Sequence, residues 1–313
     1  MSKKITTIGG QALMEGIMMV GPKKTVAAFC SQTGEISTEE ITSPRLTQKY
    51  PILGKPFIRG IFSLIDSFRL GYKALSLSAD KITEDTGEEE ELSKFDQWLM
   101  DHLGEKITGV IMGVASVLGV ALAILLFFLL PTVLFNLLEG AVPGDISGWR
   151  SVFEGILRIA IFLGYVVLVS QIPDIKRTFQ YHGAEHKTIA CYEAGLPLTG
   201  ENIRKQSRFH PRCGTSFMIL VIIISIFLYA VLPWTSTGLR IVYKLCMFPL
   251  LVGVCYEILK WAGRSHSMLS RIVSQPGLWM QRLTTFEPDD SMIEVAIAAV
   301  TPVLPENQEE ARW

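Results

Sequence analysis

His182, Glu185 and His186 stand in the stretch YHGAEHKTIACYE (Tyr181 to Glu193) in the order H-x-x-E-H. Two imidazoles four residues apart share one face of a helix, the spacing with which they grip a single metal ion. A glutamate between them is suited to take a proton from water, so the expected chemistry is metal-assisted hydrolysis with Glu185 as general base. HPRCG (His210 to Gly214) follows and offers a second half-site. His210 and Cys213 are an imidazole and a thiol, which zinc accepts together. His182 and His186, completed by His210, Cys213 or the more distant Glu257, would make the three protein ligands of a catalytic zinc. Arg212 is the candidate for meeting negative charge that develops on a substrate. The chain has five histidines, and His182, His186 and His210 all fall in this segment. The plain alternative is a charged loop whose residues meet solvent or lipid headgroups.

The elements that must hold these residues are apolar. The chain has 313 residues, a net charge of -1 and 49% hydrophobic residues. Ile107–Leu130 is an uninterrupted uncharged run, long enough to cross a bilayer. Ile156–Ile172, with Arg158 near one end, is a second candidate span. Thr215–Leu232 is a third, and Leu239–Leu259, which contains Lys244 and Glu257, is a fourth. The expected fold is an α-helical polytopic membrane protein of about four transmembrane helices with a small cytoplasmic α/β part. Lys176, Arg177, Lys187, Arg204, Lys205, Arg208 and Arg212 crowd the central loop, whereas the loops on the other side carry Arg150 and Arg240. The excess of positive charge places the central loop and both termini in the cytoplasm, in a multi-pass cell-membrane protein. MSKKITTIGG lacks an apolar core, so no cleaved signal peptide is expected. Five cysteines without a C-x-x-C pair fit a reducing compartment.

Residues 1–54 read as a β-rich region in which TVAAFC and EISTEEI flank a turn to make a hairpin. IGGQALMEGIMMVGP precedes it, and Gln11 and Glu15 are its polar members. They are candidate pocket residues if the phrase folds over the metal loop; otherwise it is a turn and a core strand. Gly-Gly-Gln is also the hydrolytic tripeptide of release factors, but nothing around it resembles a ribosome-binding domain. Residues 55–82 follow with apolar positions every three or four residues, a helix that covers the hairpin or lies on the membrane. Residues 83–106 form an acidic linker and approach to the membrane. The remaining divisions are 107–172 (two spans), 173–214 (the loop with the candidate metal site), 215–260 (two spans) and 261–313 (a cytoplasmic tail). Within the tail, HSMLSRIVSQPGLWMQRL suggests an interfacial helix broken at Pro276, and MIEVAIAAV a helix or strand that docks on the soluble part. No Walker loop, dinucleotide fingerprint or basic stripe is present, so no nucleic-acid partner is expected.

GGQALMEGIMM, YHGAEHKTI, HPRCGTSF, the CYE of Cys255 to Glu257, TTFEPDD and MIEVAIAA, in that order, resemble the YqhQ-like family. This is a bacterial integral-membrane family of unknown function whose members are described as predicted metal-dependent enzymes. The resemblance marks Gln11 and Glu15, then His182, Glu185 and His186, then His210, Arg212 and Cys213, and finally Glu257. Val20 and Phe286 stand where the family commonly has arginine, so no arginine role carries over there. The expected function is a zinc, or other divalent-metal, hydrolase at the cytoplasmic membrane face, acting on a membrane-proximal peptide or a lipid-linked group. A scaffold with a closed structural metal site is the first alternative. Metal or proton transport through Glu257 and Lys244 is the second.

Overall fold

The computed structural model describes residues 6–86, 107–232, 236–265 and 267–305. Most of the acidic linker (87–106) lies outside these. The chain divides into two compact units, one of Met1–Thr86, Gly164–Ile224 and Phe248–Trp313, the other of Gly87–Leu163 and Ser225–Met247.

The first unit contains a four-stranded antiparallel meander: β1 (Gly9–Leu13), β2 (Gly16–Val20), β3 (Thr25–Cys30) and β4 (Ile36–Glu40). The expected hairpin is β3–β4. A second one, β1–β2, turns at Met14 and Glu15, where Glu15 takes a left-handed backbone (φ 50°). Because both faces are covered, β2 and β3 are continuous apolar runs instead of alternating ones. Ile8, Ile17, Met19, Val26 and Ala28 face one way, into a core shared with two helices. These are α6 (Pro173–Glu193), through Tyr181, Ala184 and Ile189, and α11 (Asp290–Val300), through Met292, Val295, Ala296 and Ala299. Leu13, Met18, Ala27 and Phe29 face the other way, onto Ala74 and Leu70 of α2 (Ile58–Thr86). Each buried Val, Leu, Ile, Phe or Met among them is worth about 1.5–3 kcal/mol. α2 therefore covers the sheet, and it runs past the expected end at residue 82. A short helix, α1 (Leu46–Lys49), precedes it.

Local signals explain the helices at the site. Ile172 is extended before Pro173, which opens α6 at a position where no N–H is needed, with Asp174 in the first turn. Asp289 caps α11, its carboxylate accepting from Met292 N at 2.9 Å. The tail segment is thus a helix, not a strand. Between α6 and α8 (Gly214–Ala230) lies the short α7 (Gly200–Arg204). α10 (Met268–Thr284) runs straight through Pro276, contrary to the expected break. The proline costs one backbone bond, and the neighbouring Gly277 lies directly against Ser216.

The second unit contains α3 (Ile107–Ile124), a π-helical turn (Leu125–Leu129) and α4 (Leu130–Ala141), together with Leu163 and earlier residues of α5 (Arg150–Val169) and Met247 and earlier residues of α9 (Thr237–Arg264). Three helical stretches are long and apolar enough to cross a membrane: Gly113–Ala141, Ser147–Val169 and Gly238–Arg264. α8, the third expected span, is a shorter apolar helix of 17 residues.

Candidate metal centre

α6 buries almost everything from Tyr181 to Glu193. One of its faces carries His182 and His186, whose rings meet edge to face with centroids 4.4 Å apart. The chain re-enters at Cys213, immediately before α8. Ligand atoms of His182, His186 and Cys213 lie within 4.8 Å of one another, the one such group of three or more among the described residues. His182 Nε2 is 3.2 Å from Cys213 Sγ.

Main-chain carbonyls fix both imidazoles. Thr284 O accepts from His182 Nδ1 at 2.8 Å, and Arg208 O from His186 Nδ1 at 2.6 Å. With each Nδ1 donating, each Nε2 keeps a lone pair for the space beside Cys213, the arrangement that orients metal-ligating histidines. Electrostatics favours a thiolate there. Burial pushes the Cys213 thiol up, but the charges of His182 and His186 and their hydrogen bonds bring it well below its usual range. Burial likewise works against a charged His182, yet the Cys213 sulfur and Glu185 raise it to about 9, so a metal bound at Nε2 would have to displace a proton to reach that lone pair. Two imidazoles and a thiolate are a donor set that zinc accepts.

Glu185 is buried behind the two histidines and accepts the Gly10 N–H of β1. Burial raises its carboxyl above the ordinary carboxylate range, and His186 and His182 moderate the rise. Gly10 permits the approach, since a Cβ there would meet Met18 O at 2.6 Å and the Glu185 carboxyl carbon at 3.0 Å.

His210 and Arg212 sit beside the cluster but face elsewhere. His210 Nε2 accepts from an Arg212 guanidinium N–H at 3.0 Å and lies 3.8 Å from a Glu193 carboxylate oxygen. Arg212 pairs with Glu193 and donates to Thr6 O at 3.1 Å. Its charge is matched inside the protein by Glu193. Gln281 clamps the His210 backbone, accepting from His210 N and donating to His210 O, each at 2.7 Å. Sequence reasoning missed Gln281. The available signal was a polar residue on the stripe Gly277, Met280, Gln281, Thr284, which is the buried face of α10.

Three further candidates are not brought to the cluster. Glu257 is held by Arg59 in a two-pronged pair at 2.7 and 2.5 Å and accepts Phe57 N at 3.2 Å, so its oxygens are occupied as counter-ion, not ligand. Gln11 follows Gly10 in β1 and so faces the opposite side of the sheet, against Gly71 of α2. Glu15 pairs with Arg177 at 2.6 Å and accepts from Tyr181 Oη at 3.2 Å.

Glu193 yields a pH prediction. Burial alone would raise its carboxyl, but the neighbouring His210 and the charge and hydrogen bond of Arg212 bring it down to about 2 from 4.5. The folded chain then binds fewer protons than the unfolded one, so this stabilisation is full above pH 4.5 and is lost as pH falls toward 2. The stability gap between wild type and Glu193→Gln should narrow across that window in acid-titrated thermal unfolding. A gap that stays constant there would refute the assignment.

A family model described as a protein of unknown function (DUF1385) matches residues 55–306, which include every candidate site residue except Gln11 and Glu15. "Uncharacterized protein YqhQ" of Bacillus subtilis (strain 168) is 33% identical over 297 residues, 95% of this chain and 92% of that one. No solved structure matches.

Proposed function

The chain belongs to the DUF1385 family of proteins of unknown function, and we propose that it is a metal-dependent membrane enzyme, a zinc hydrolase working at the cytoplasmic face. The observation that carries the reading is the three-donor set of His182, His186 and Cys213 with the buried Glu185 beside it. A divalent metal held there would supply Lewis acidity, making water a stronger acid and polarising a substrate oxygen. The Thr284 and Arg208 carbonyls hold the imidazoles in the ligating orientation, and the Gly10 N–H holds the Glu185 carboxyl. Glu185 takes the proton from the attacking water and returns it to the leaving group. The substrate class is a membrane-proximal peptide bond or a lipid-linked group. Four spans, with α8 as the shortest, and cytoplasmic termini complete the proposal, supported by the basic residues of the central segment.

A closed structural site is the second reading, favoured by the His210 ring, whose centroid is 5.5 Å from that of His186. Transport loses its expected pair, because Glu257 is bound to Arg59 and Lys244 to Glu154. Metal content by mass spectrometry tests the choice on detergent-purified protein. Wild type should hold about one equivalent of zinc. His182→Ala, His186→Ala and Cys213→Ala should lose it, while Glu185→Gln and Glu257→Gln keep it. Retention in His210→Ala means an open, three-ligand site, and loss there means the closed one. Wild type without stoichiometric metal after anaerobic, chelator-free purification would end the enzyme reading.

A further inference from the structure

Glu257, Lys260, Trp261 and Arg264 fall at i, i+3, i+4 and i+7, so they form one stripe along the last two turns of α9. Arg59, from the first turn of α2, reaches that stripe. Glycines make the approach close: a Cβ on Gly60 would meet Tyr256 Cβ at 2.7 Å, and Gly253 lies under the Phe57 backbone. Between them is a cavity of about 320 Å³ lined by Arg59, Glu257, Lys260, Trp261, Arg264 and Ser265.

Three cations and a single carboxylate line this cavity. Arg59 satisfies Glu257 with both prongs of its guanidinium. Lys260 and Arg264 make no hydrogen bond or ion pair among the described residues, so their charge is left for something else. Trp261 is 42% exposed. The cavity lies at the end of the candidate span Gly238–Arg264, where tryptophan and basic side chains meet lipid headgroups. The next helix, α10, exposes Met268, Leu269, Ile272 and Trp279 on one side. In a bilayer, an amphipathic helix of that kind would lie in the interface and so bring the cavity to headgroup depth. Basic residues at the end of a span are common, but a flat scatter of them would need no cavity, no tryptophan and no internally neutralised carboxylate.

We propose that this cavity binds a phosphate-bearing anion, the headgroup of an anionic bilayer lipid, between Arg59, Lys260 and Arg264 with Trp261 against its glycerol end. The site is separate from the metal cluster and stands whether or not that cluster holds a metal.

The test titrates the delipidated full-length chain in detergent with short-chain phosphatidylglycerol, short-chain phosphatidylcholine or inorganic phosphate, and reads binding by native mass spectrometry. Wild type should bind phosphatidylglycerol, and Lys260→Gln/Arg264→Gln should bind it at least about tenfold more weakly, with phosphatidylcholine unaffected. Lys260→Arg/Arg264→Lys should retain binding, which separates lost charge from lost fold. The exposed control Arg204→Gln/Lys205→Gln should behave as wild type. Inorganic phosphate that binds wild type and is lost in the glutamine variant keeps the site but makes its ligand a free anion. Equal phosphatidylglycerol binding by wild type and the glutamine variant overturns the proposal, as does an equal loss in the control.

Discussion

Glu154→Gln is expected to destabilise the apolar unit by about 3–5 kcal/mol, the usual cost of leaving buried charge without its partner. The Glu154 carboxylate accepts from Lys244 Nζ at 2.6 Å, Arg158 at 3.0 Å and Thr132 Oγ1 at 3.1 Å. The side chains of Glu154 and Lys244 are both 0% exposed. Glutamine keeps the shape but leaves two cations facing a neutral amide. Lys244→Met should cost much less, since Glu154 keeps Arg158. Adding Glu154→Leu to Lys244→Met should not restore the wild type, since Arg158 would then lack a carboxylate. Unfolding of detergent-solubilised protein in a denaturing detergent series measures the order. If Glu154→Gln unfolds at the wild-type midpoint, these charges are solvated and the pairing is ornamental.

Arg158 also serves the backbone. Pro131 has no N–H, so the Phe127 carbonyl four residues earlier loses its α-helical donor. Arg158 Nε donates to that oxygen at 2.8 Å. The helix adapts through the π-helical turn Leu125–Leu129, closed by Leu130 N to Leu125 O. In an apolar medium an unsatisfied carbonyl is expensive, so one arginine both stabilises the proline site and balances Glu154. Its guanidinium also lies over the Tyr229 ring, 5.5 Å from the centroid.

Residue chemistry and spacing made His182, His186 and Cys213 legible, because few side chains can hold a metal. The groups that orient them were not legible, because Thr284 and Arg208 contribute backbone oxygen, which every residue has. The place of Glu257 was not legible for a physical reason: a carboxylate in an apolar segment is a functional signal unless it has a partner. Its partner, Arg59, lies 198 positions away in the sequence. The side on which Gln11 falls was not legible, because strand alternation separates it from Gly10, and the β1–β2 hairpin that sets the alternation turns at a left-handed glutamate instead of a glycine. The helix in α2 was readable from its period, but which side it covers depended on both faces of β2 and β3 being apolar.

The second large effect is expected at Gly183. Exchanging glycine for alanine inside a helix normally gains about 1 kcal/mol. Here the sign should reverse. A Cβ on Gly183 would run into the Phe286 carbonyl oxygen, which cannot swing aside as a flexible side chain would. That backbone is tied to α6 by Phe286 N donating to Phe179 O at 2.9 Å. Relief requires the segment that follows α10, residues 285–286, to lift from α6, at a cost of about 1–3 kcal/mol or more for overpacking. The last residue of α10, Thr284, adjoins that segment and supplies the carbonyl that aligns His182. Gly183→Ala should therefore lower the thermal midpoint and also weaken metal retention about 10–100-fold, the usual effect of losing an outer partner of a ligand. Gly200→Ala, where only the end of the Arg204 side chain is near at 3.6 Å, should do neither. Loss of stability without loss of metal affinity would separate the packing of residues 285–286 from the alignment of His182. Unchanged stability would mean that α6 and residues 285–286 do not approach as closely as Gly183 allows.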